Sequence, residues 1–277
     1  MQRYLALIII SFITFHSYSQ DKECLPVRDI PDSQKAFKSG EKLVYIINYE
    51  WGMVKTDVGE AEAMLRMDRN ERYGEHFHAV VKGTTYKFYD IFFKVRDLFE
   101  SRFNTVNGRP FYFYRDIAEG RYRMKNTHHY NKDYTINATV QRKSDPARDT
   151  LLKGTVCTFD LVSLFYFARN LDFSEVPAGV PQPISFAIDD EVFNLYYKFL
   201  GRENKRIPGL GHFKTMKFAA KVVAGEVFSG KEEIILWVSD DANMVPLLFE
   251  TPIMVGKVTG RLSLFDNLKY PLSSKLK

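Results

Sequence analysis

Histidine is the residue type in this chain best suited to proton transfer or metal binding near neutral pH. His76 and His78 alternate along a predicted strand, so both rings are expected on one face, a spacing that can bind zinc. A zinc site needs a third and a fourth ligand, and the sequence supplies no pattern for them. His128 and His129 are adjacent and are expected on opposite faces of their strand. The spacing therefore predicts histidines without a metal, and no cofactor.

Acidic residues form two further candidate sites. Glu100 and Asp116 lie near aromatic residues, as do the paired carboxylates of enzymes that hydrolyse glycans. Charged residues are also common at strand ends and turns, and we favour that structural interpretation. Asp240, Asp241 and Asn243 could offer oxygens to calcium, but they lack the alternating ligands and central glycine of a calcium loop. Their types are equally typical of turns, because Asp and Asn side chains bond to nearby backbone groups.

Nucleophilic chemistry has no signature in the chain. Ser163 follows Asp160 and precedes an aromatic segment, but the Gly-x-Ser-x-Gly elbow of hydrolases is missing. No Ser/His/Asp or Cys/His set can be assembled from spacing alone. The sequence therefore predicts a protein that is not an enzyme.

One segment is expected to mark where the core closes. Residues 159–171 form the long stretch that predicts a helix, with Asp160 in its first turn and Arg169 at the opposite end, where their charges suit the helix dipole. Most of the remaining chain alternates as strands do, with tight turns that require antiparallel neighbours. These features predict a mainly β fold. It is either a large curved antiparallel sheet or an open or flattened barrel, with one principal helix packed against it.

Aromatic residues are unusually numerous, with 23 Phe and 16 Tyr. Such a surplus indicates either a large filled core or an apolar hollow beside the helix, and both interpretations remain open. Residues 86–93 are so aromatic that a short helix and a buried strand fit equally well. The residues expected to touch a ligand in the hollow are Phe111, Phe113, Phe165, Tyr166, Phe167 and Trp237.

The N-terminus predicts export. Arg3 precedes an apolar run that is short for a bilayer span, and small residues then suit cleavage before Gln20. The predicted divisions are a signal peptide at 1–19, a loosely docked arm at 20–40, a β-rich domain at 41–266 and a tail at 267–277. Residues 143–150 are the best candidate for a boundary inside that domain. Later segments lack the length and apolarity of a transmembrane helix, so we expect a periplasmic or secreted protein.

Charge and cysteine content limit the classes of partner that the protein is expected to bind. Removal of Arg3 with the signal lowers the net charge of +5 by one, and basic residues are spread among acidic ones, which argues against a nucleic-acid partner. The mature chain keeps Cys24 and Cys157, which could form one disulfide in an oxidising compartment or stay as two thiols. Their spacing fits no metal motif. The expected partner is a lipid or another apolar envelope ligand, and the sequence names no protein partner.

Four stretches together resemble a known family. They are Gly40–Tyr45, Arg96–Ser101, Phe159–Tyr166 and Leu236–Asp241, the last of which runs on into Pro246 and Gly256. This pattern resembles the exported bacterial proteins grouped as domain of unknown function 3108, over almost the whole mature chain. The resemblance implies a β-rich, barrel-like or strongly curved antiparallel sheet in the periplasm of a Gram-negative-type bacterium. It supplies no catalytic residues.

Function is expected to depend on the hollow of the sheet. Our first hypothesis is a non-enzymatic binding or carrier protein for an apolar or envelope-derived ligand. The expected shape is similar to that of periplasmic lipoprotein carriers, which is a likeness of fold alone. The alternative is a structural or interaction protein of the cell envelope with a filled core. A glycan hydrolase that acts through Glu100 and Asp116 is the last hypothesis.

Overall fold

The computed structural model describes residues 27–221, 233–253 and 255–277. The predicted signal peptide, its cleavage site and Cys24 lie outside these residues. The described chain contains one α-helix, α1 at Leu161–Ala168, and short 3-10 helices at Asp32–Gln34 and Tyr89–Ile91. Its strands are β1 Lys42–Trp51, β2 Val54–Asn70, β3 Gly74–Thr85, β4 Arg96–Asn104, β5 Pro110–Glu119, β6 Tyr122–Tyr130, β7 Thr135–Arg142, β8 Arg148–Lys153, β9 Thr158–Phe159, β10 Pro181–Ile188, β11 Glu191–Ile207, β12 Gly211–Lys221, β13 Glu233–Ser239, β14 Pro246–Pro252 and β15 Lys257–Asp266.

The fifteen strands of the described chain join in a single sheet. Their order is β8-β7-β6-β5-β4-β3-β2-β1-β15-β14-β13-β12-β11-β10-β9. Strands next to each other pair antiparallel, except for β9, which runs parallel to β10. Residues 143–150 form the turn into β8 and its first residues, within this one sheet. The predicted fold, a large open sheet with one principal helix, is confirmed.

Alternation of side chains gives the sheet an inner and an outer face. In β1, Leu43 and Tyr45 are buried while the residue between them is half-buried. Leu65, Phe77 and Phe103 continue this inner face across the neighbouring strands. Helix α1 lies against it and contacts β3 and β4 on one side and β10 on the other. The sheet therefore curves around the helix.

Helix α1 is shorter than the predicted 159–171. Phe159, at the predicted beginning, belongs to β9 and pairs with Phe186 of β10. The helix ends at Ala168. A buried strand and a buried helix share the same apolar composition, so periodicity identified the helix correctly but placed its ends wrongly. None of the described helices has the length and apolarity needed to cross a bilayer.

The two ends of the sheet are joined through side chains and not through strand pairing. Asp189, in the turn between β10 and β11, has a φ of 55° and lies against β5 and β6. Its carboxylate pairs with Arg115, and its backbone oxygen accepts a hydrogen bond from His128 Nε2 at 2.7 Å. The Asn126 side chain makes two more hydrogen bonds to the Asp189 backbone, at 3.1 and 3.2 Å. This turn, which we call the seam, holds the curved and open sheet against strands β5 and β6.

The segments outside the sheet pack closely upon it. In the described part of the N-terminal arm, Ala36 and Phe37 are buried, and Phe37 meets Tyr166 of α1 edge-on at 5.0 Å between ring centroids. Near the C-terminus Ser274 is buried and Lys275 forms a β-bridge with Phe213. The described part of the arm is thus firmly docked, contrary to the loose docking predicted, because Phe37 fills the core beside α1.

A buried ion pair connects α1 to the arm, to β1 and to the β13–β14 turn. Arg169, directly after the helix, is 3% exposed, and Glu41, directly before β1, is 1% exposed. The guanidinium donates to both carboxylate oxygens, at 2.5 and 2.8 Å. It also donates to the backbone oxygens of Asn243 at 3.1 Å and Ala36 at 3.3 Å. The main role of Arg169 is therefore to form this ion pair, and not to complement the helix dipole as predicted.

Removal of one charge from the pair should destabilise the whole fold. In Glu41→Gln the Arg169 guanidinium stays charged and buried without a counter-ion, so the free energy of unfolding should fall by about 3–5 kcal/mol. The double variant Glu41→Leu/Arg169→Met removes both charges and should regain most of that loss. Urea denaturation followed by tryptophan fluorescence measures both values.

The matched control is an ion pair of similar length at the surface. Lys42 and Glu62 are 2.6 Å apart, but their side chains are 38% and 29% exposed. Glu62→Gln should therefore change the free energy of unfolding by less than about 1 kcal/mol. A loss in Glu41→Gln no larger than that in Glu62→Gln would show that the buried pair does not hold the fold.

Candidate functional site

The carboxylate of Asp160 caps α1 from inside the core. It is fully buried and accepts four hydrogen bonds. The backbone N–H groups of Val162 and Ser163 donate to Oδ1 at 2.8 Å each, and the hydroxyls of Ser101 and Ser163 donate to Oδ2 at 2.7 and 2.8 Å. Ser163 in turn accepts from the Asp160 backbone N–H at 3.2 Å, which completes a capping box. Ser163 is thus a capping residue.

Burial raises the pKa of Asp160 to about 6, because loss of hydration outweighs the four hydrogen bonds. The Tyr130 hydroxyl is also buried, and burial followed by the nearby Asp160 charge raises its pKa. Asp160 and Ser163 are both 0% exposed, so a substrate could reach them only if the fold opened. The cluster therefore fits a structural role.

The space beside α1, where the sequence suggests a hollow, is filled. A crevice between α1 and the β4–β5 turn, lined among others by Phe37, Phe103 and Phe167, has a volume of about 10 Å³. That is room for about one water molecule. The rings around it pack directly, with Phe159 and Phe167 stacked at 4.4 Å between centroids. A lipid does not fit in this crevice.

The structure brings together three of the six aromatic residues predicted to touch a ligand. Phe113 and Tyr166 are buried in one cluster, and Phe165 packs against it. Phe167 and Trp237 are buried in two other clusters. Phe111 is half-buried at the start of β5 and stacks on another ring of the chain. The six residues therefore do not line one common site. The disulfide predicted for Cys157, which is buried, involves Cys24 outside the described residues.

The histidines have partners within the protein. His76 Nδ1 donates to the Gly74 carbonyl at 2.9 Å, and His78 lies between Arg66 at 2.8 Å and Glu100 at 3.2 Å. Burial lowers the pKa of His78, and it lowers that of His128 to about 4, so both are neutral at pH 7. Throughout the described ranges, no three His, Cys, Asp or Glu side chains lie close enough to hold a metal ion.

The acidic candidates divide into a turn and an outer-face group. Asp241 accepts from Ser239 Oγ and from the Asn243 backbone N–H, at 3.0 Å each, as expected of turn-forming residues. Glu100 and Asp116 share the face turned away from α1, at diagonal positions on β4 and β5. Glu100 faces His78, and Asp116 lies 3.7 Å from a lysine on β6. The two carboxylates are therefore on one side of the sheet, and the hydrolase hypothesis stays a prediction.

A group of exposed apolar side chains lies at one end of the sheet. The β1–β2 turn, the β3–β4 loop and the β14–β15 turn are neighbours there, because β1 pairs with β2 and β15 and β2 pairs with β3. We call this surface the apolar rim. Its eight side chains are all more than half exposed: Trp51, Met53, Val54, Phe88, Ile91, Phe92, Phe93 and Val255. An exposed apolar surface of this kind is typical of an interaction site.

Hydrogen bonds hold the β3–β4 loop in place. The Tyr86 backbone N–H donates to Val58 O at 2.9 Å, and Tyr86 O accepts from the N–H groups of Tyr89 at 2.8 Å and Asp90 at 3.1 Å. The Asp90 carboxylate accepts from Arg96 at 2.6 Å. This charged hydrogen bond holds the pKa of Asp90 below its usual value. The loop is therefore fixed from behind, and its apolar side chains face outward.

Positive charge borders the apolar rim. Lys87 and Lys94 are exposed and flank the apolar residues of the β3–β4 loop, while the exposed Lys55, directly after Val54, pairs with Glu50 at 3.5 Å. Arg96 already compensates the charge of Asp90. In the part of the chain that the structure describes, Lys87 and Lys94 form no ion pair with a carboxylate. The rim is thus apolar at its centre and cationic at its margin.

Comparisons with known proteins identify the family of this chain and a solved structure of similar fold. The family described as "Protein of unknown function (DUF3108)" matches residues 44–263. The chain belongs to this family. The resemblance seen in four stretches of the sequence is therefore confirmed, and the match spans every strand from β2 to β14. No curated protein sequence matches the chain at a significant level.

A solved structure shares the fold of this DUF3108 chain. It is a beta-barrel-like protein of domain of unknown function DUF1849 from Brucella abortus, with 9% sequence identity and a TM-score of 0.54. The likeness covers 84% of this chain and 100% of the other. At this identity it concerns the fold alone.

The sequence does not predict the apolar rim of this DUF3108 protein. Residues 86–93 fit a short helix or a buried strand by periodicity, whereas they form an exposed loop around the 3-10 helix Tyr89–Ile91. The interpretation of these residues as a buried strand is therefore wrong. One signal was available: Lys87 and Lys94 bracket a short apolar run that does not alternate, which is typical of a loop that presents its side chains outward.

The raised pKa of Asp160 predicts a pH-dependent stability. A carboxyl whose pKa is higher in the folded state adds stability below its unfolded pKa of 3.8, and this stability is lost as pH rises through about 6. The full step corresponds to about 3 kcal/mol. Asp160→Asn keeps the cap but cannot ionise. The free energy of unfolding of the wild type, minus that of this variant, should therefore fall as the pH rises from 3.8 to about 6. Urea denaturation at a series of pH values measures it.

Two further variants separate the cap from the charge. Asp160→Ala removes the hydrogen bonds themselves and should lower the free energy of unfolding by about 1–2 kcal/mol or more at every pH. Asp133→Asn changes an exposed carboxyl whose pKa is lowered, so it should leave the curve between pH 4 and 6 unchanged. Parallel curves for the wild type and Asp160→Asn would contradict the titration of Asp160.

Proposed function

We propose that this protein is an exported, non-enzymatic interaction protein of the cell envelope, which binds apolar envelope material through the apolar rim. The observation that carries the proposal is the exposure of eight apolar side chains on one rim of a molecule whose helix is tightly packed. Connections between paired strands present these side chains, as is typical of binding loops on a stable scaffold. Export rests on the sequence of residues 1–19 and gives a periplasmic or secreted location.

The interior-carrier hypothesis has less support than surface binding. A carrier that enclosed a lipid would need a cavity of about 300 Å³ or more, against about 10 Å³ beside α1. Phe113, Tyr166 and Phe167 are each buried in apolar clusters of the core. The Asp160 carboxylate and the Arg169 guanidinium, at the two ends of α1, also have internal partners. The filled-core alternative is therefore the one we adopt.

A non-catalytic role is part of the proposal. Ser163 is engaged in the helix cap, and Glu100 and Asp116 face positively charged or histidine side chains on the outer face. Ion-pair and capping roles account for these residues without a reaction. Substitution of Glu100 or Asp116 should consequently leave binding through the rim intact.

Crosslinking in cells tests where the protein binds. A photoreactive amino acid in place of Phe92, 75% exposed on the rim, should give one recurrent adduct after illumination of a Gram-negative host. The same group in place of Tyr196, 56% exposed on β11, is the control and should give none. Electrophoresis and mass spectrometry identify the adduct as lipid or protein. Equal labelling at both positions, or none at either, would overturn the proposal.

Native mass spectrometry tests the filled interior. The mature protein, purified without detergent, should have the mass of the polypeptide alone. A lipid retained at one molecule per chain would support the interior carrier instead, provided that Ile91→Ser/Phe92→Ser retains it too. Loss of the lipid in that double variant would show that the lipid binds at the rim.

A further inference from the structure

The composition of the apolar rim indicates the chemistry of its partner. Its exposed side chains include Trp51 and three Phe residues, which combine large apolar area with few rotatable bonds. Exposed lysines stand at its margin and not at its centre, as Lys87 and Lys94 do around the β3–β4 loop. At a membrane surface the long side chain of lysine reaches the headgroups while nearby aromatic rings enter the apolar layer.

The shape of the rim fits a bilayer better than a folded partner. Its apolar residues stand on three separate connections, at the β1–β2 turn, the β3–β4 loop and the β14–β15 turn. Met53, Ile91 and Phe92 are the most exposed of these side chains, at 103%, 80% and 75%. Separate protruding tips can enter a fluid surface independently, while a rigid protein would need a matching hole for each. Strands of the same sheet hold all three connections.

Charge decides which lipid surface is favoured. Lys87 and Lys94 are exposed on the two sides of the β3–β4 loop, where Asp90 is paired with Arg96, while Lys55 is paired with Glu50. Each lysine near an anionic membrane surface adds to the attraction, and the effect weakens with salt. An anionic headgroup layer therefore matches the margin of the rim, as the apolar layer beneath it matches the centre.

We propose that the apolar rim docks this protein on the surface of an anionic lipid bilayer, with the tips of its three connections inserted among the lipids. This inference rests on the proposed function and names the partner of that same surface. The bilayer core is not crossed, because the inserted residues are turns whose strands remain in the sheet.

Vesicle flotation with the purified mature protein tests the docking. Vesicles of phosphatidylcholine mixed with phosphatidylglycerol should carry the protein upward, and vesicles of phosphatidylcholine alone should carry at least tenfold less. Ile91→Ser/Phe92→Ser should lower the partition coefficient on the mixed vesicles at least tenfold, because two inserted side chains are lost. Lys87→Glu/Lys94→Glu should lower it by about tenfold or more, and added salt should weaken the wild type likewise.

Matched variants control for general surface effects. Leu151→Ser/Tyr196→Ser removes two side chains of similar exposure, 63% and 56%, outside the rim. Lys132→Glu/Lys153→Glu makes the same change in net charge at exposed positions elsewhere. Both should bind mixed vesicles as the wild type does. Circular dichroism of every variant should match the wild type, since all the substituted residues are exposed.

The outcomes separate this inference from the proposed function. Absence of wild-type flotation, or equal losses in rim and control variants, would overturn docking on a bilayer. If flotation fails while the Phe92 crosslink captures a protein, or while the rim mediates a dimer that Ile91→Ser/Phe92→Ser dissolves, the rim is an interaction site for a protein and only the bilayer is wrong. If flotation and crosslinking both fail, both proposals fall.

Discussion

The buried ion pair between Arg169 and Glu41 determines where α1 can lie. A guanidinium withdrawn from water is tolerated only when its donors are satisfied, and here the partners come from the arm, the residue before β1 and the β13–β14 turn. The rings of Phe37 and Tyr166 lie 5.5 and 5.7 Å from the guanidinium carbon and surround it with apolar surface. Any large displacement of the helix would expose these groups or leave them unpaired. The pair therefore keeps the helix seated in the curve of the sheet.

Because α1 is fixed in the core, the candidate functional residues lie at the surface. With the Asp160 cap at one end and the Arg169 pair at the other, both ends of α1 are anchored by buried polar groups. The helix then acts as a filler around which fifteen strands curve. The spacing of the three connections that carry the apolar rim follows from strand pairing, so the stability of the interior sets the geometry of the surface that meets a partner.

Local pattern was enough to predict most of the fold. Alternation along β1 and the tight turns between strands indicated an antiparallel sheet, and the apolar segment around Leu161–Ala168 indicated the helix. The ends of that helix could not be predicted, because Phe159 pairs with a strand 27 residues later. The burial of Arg169 could not be predicted either, because its carboxylate partner, Glu41, lies 128 residues away in the sequence. Aromatic content predicted an apolar function, but a phenylalanine in a core and one on a loop look alike in sequence.

The seam has a consequence for how this architecture can vary. A barrel closed by strand pairing must keep its number of strands and its stagger in step, because every strand has two partners. Here the ends of the sheet meet through side chains, with Asp189 held by β5 and β6 and Ala187 packed against Ile136 and Leu152, while β8 and β9 keep unpaired edges in the described chain. Contacts between side chains do not tie the number of strands to their stagger in this way. The architecture is in this respect an open coil and not a closed barrel.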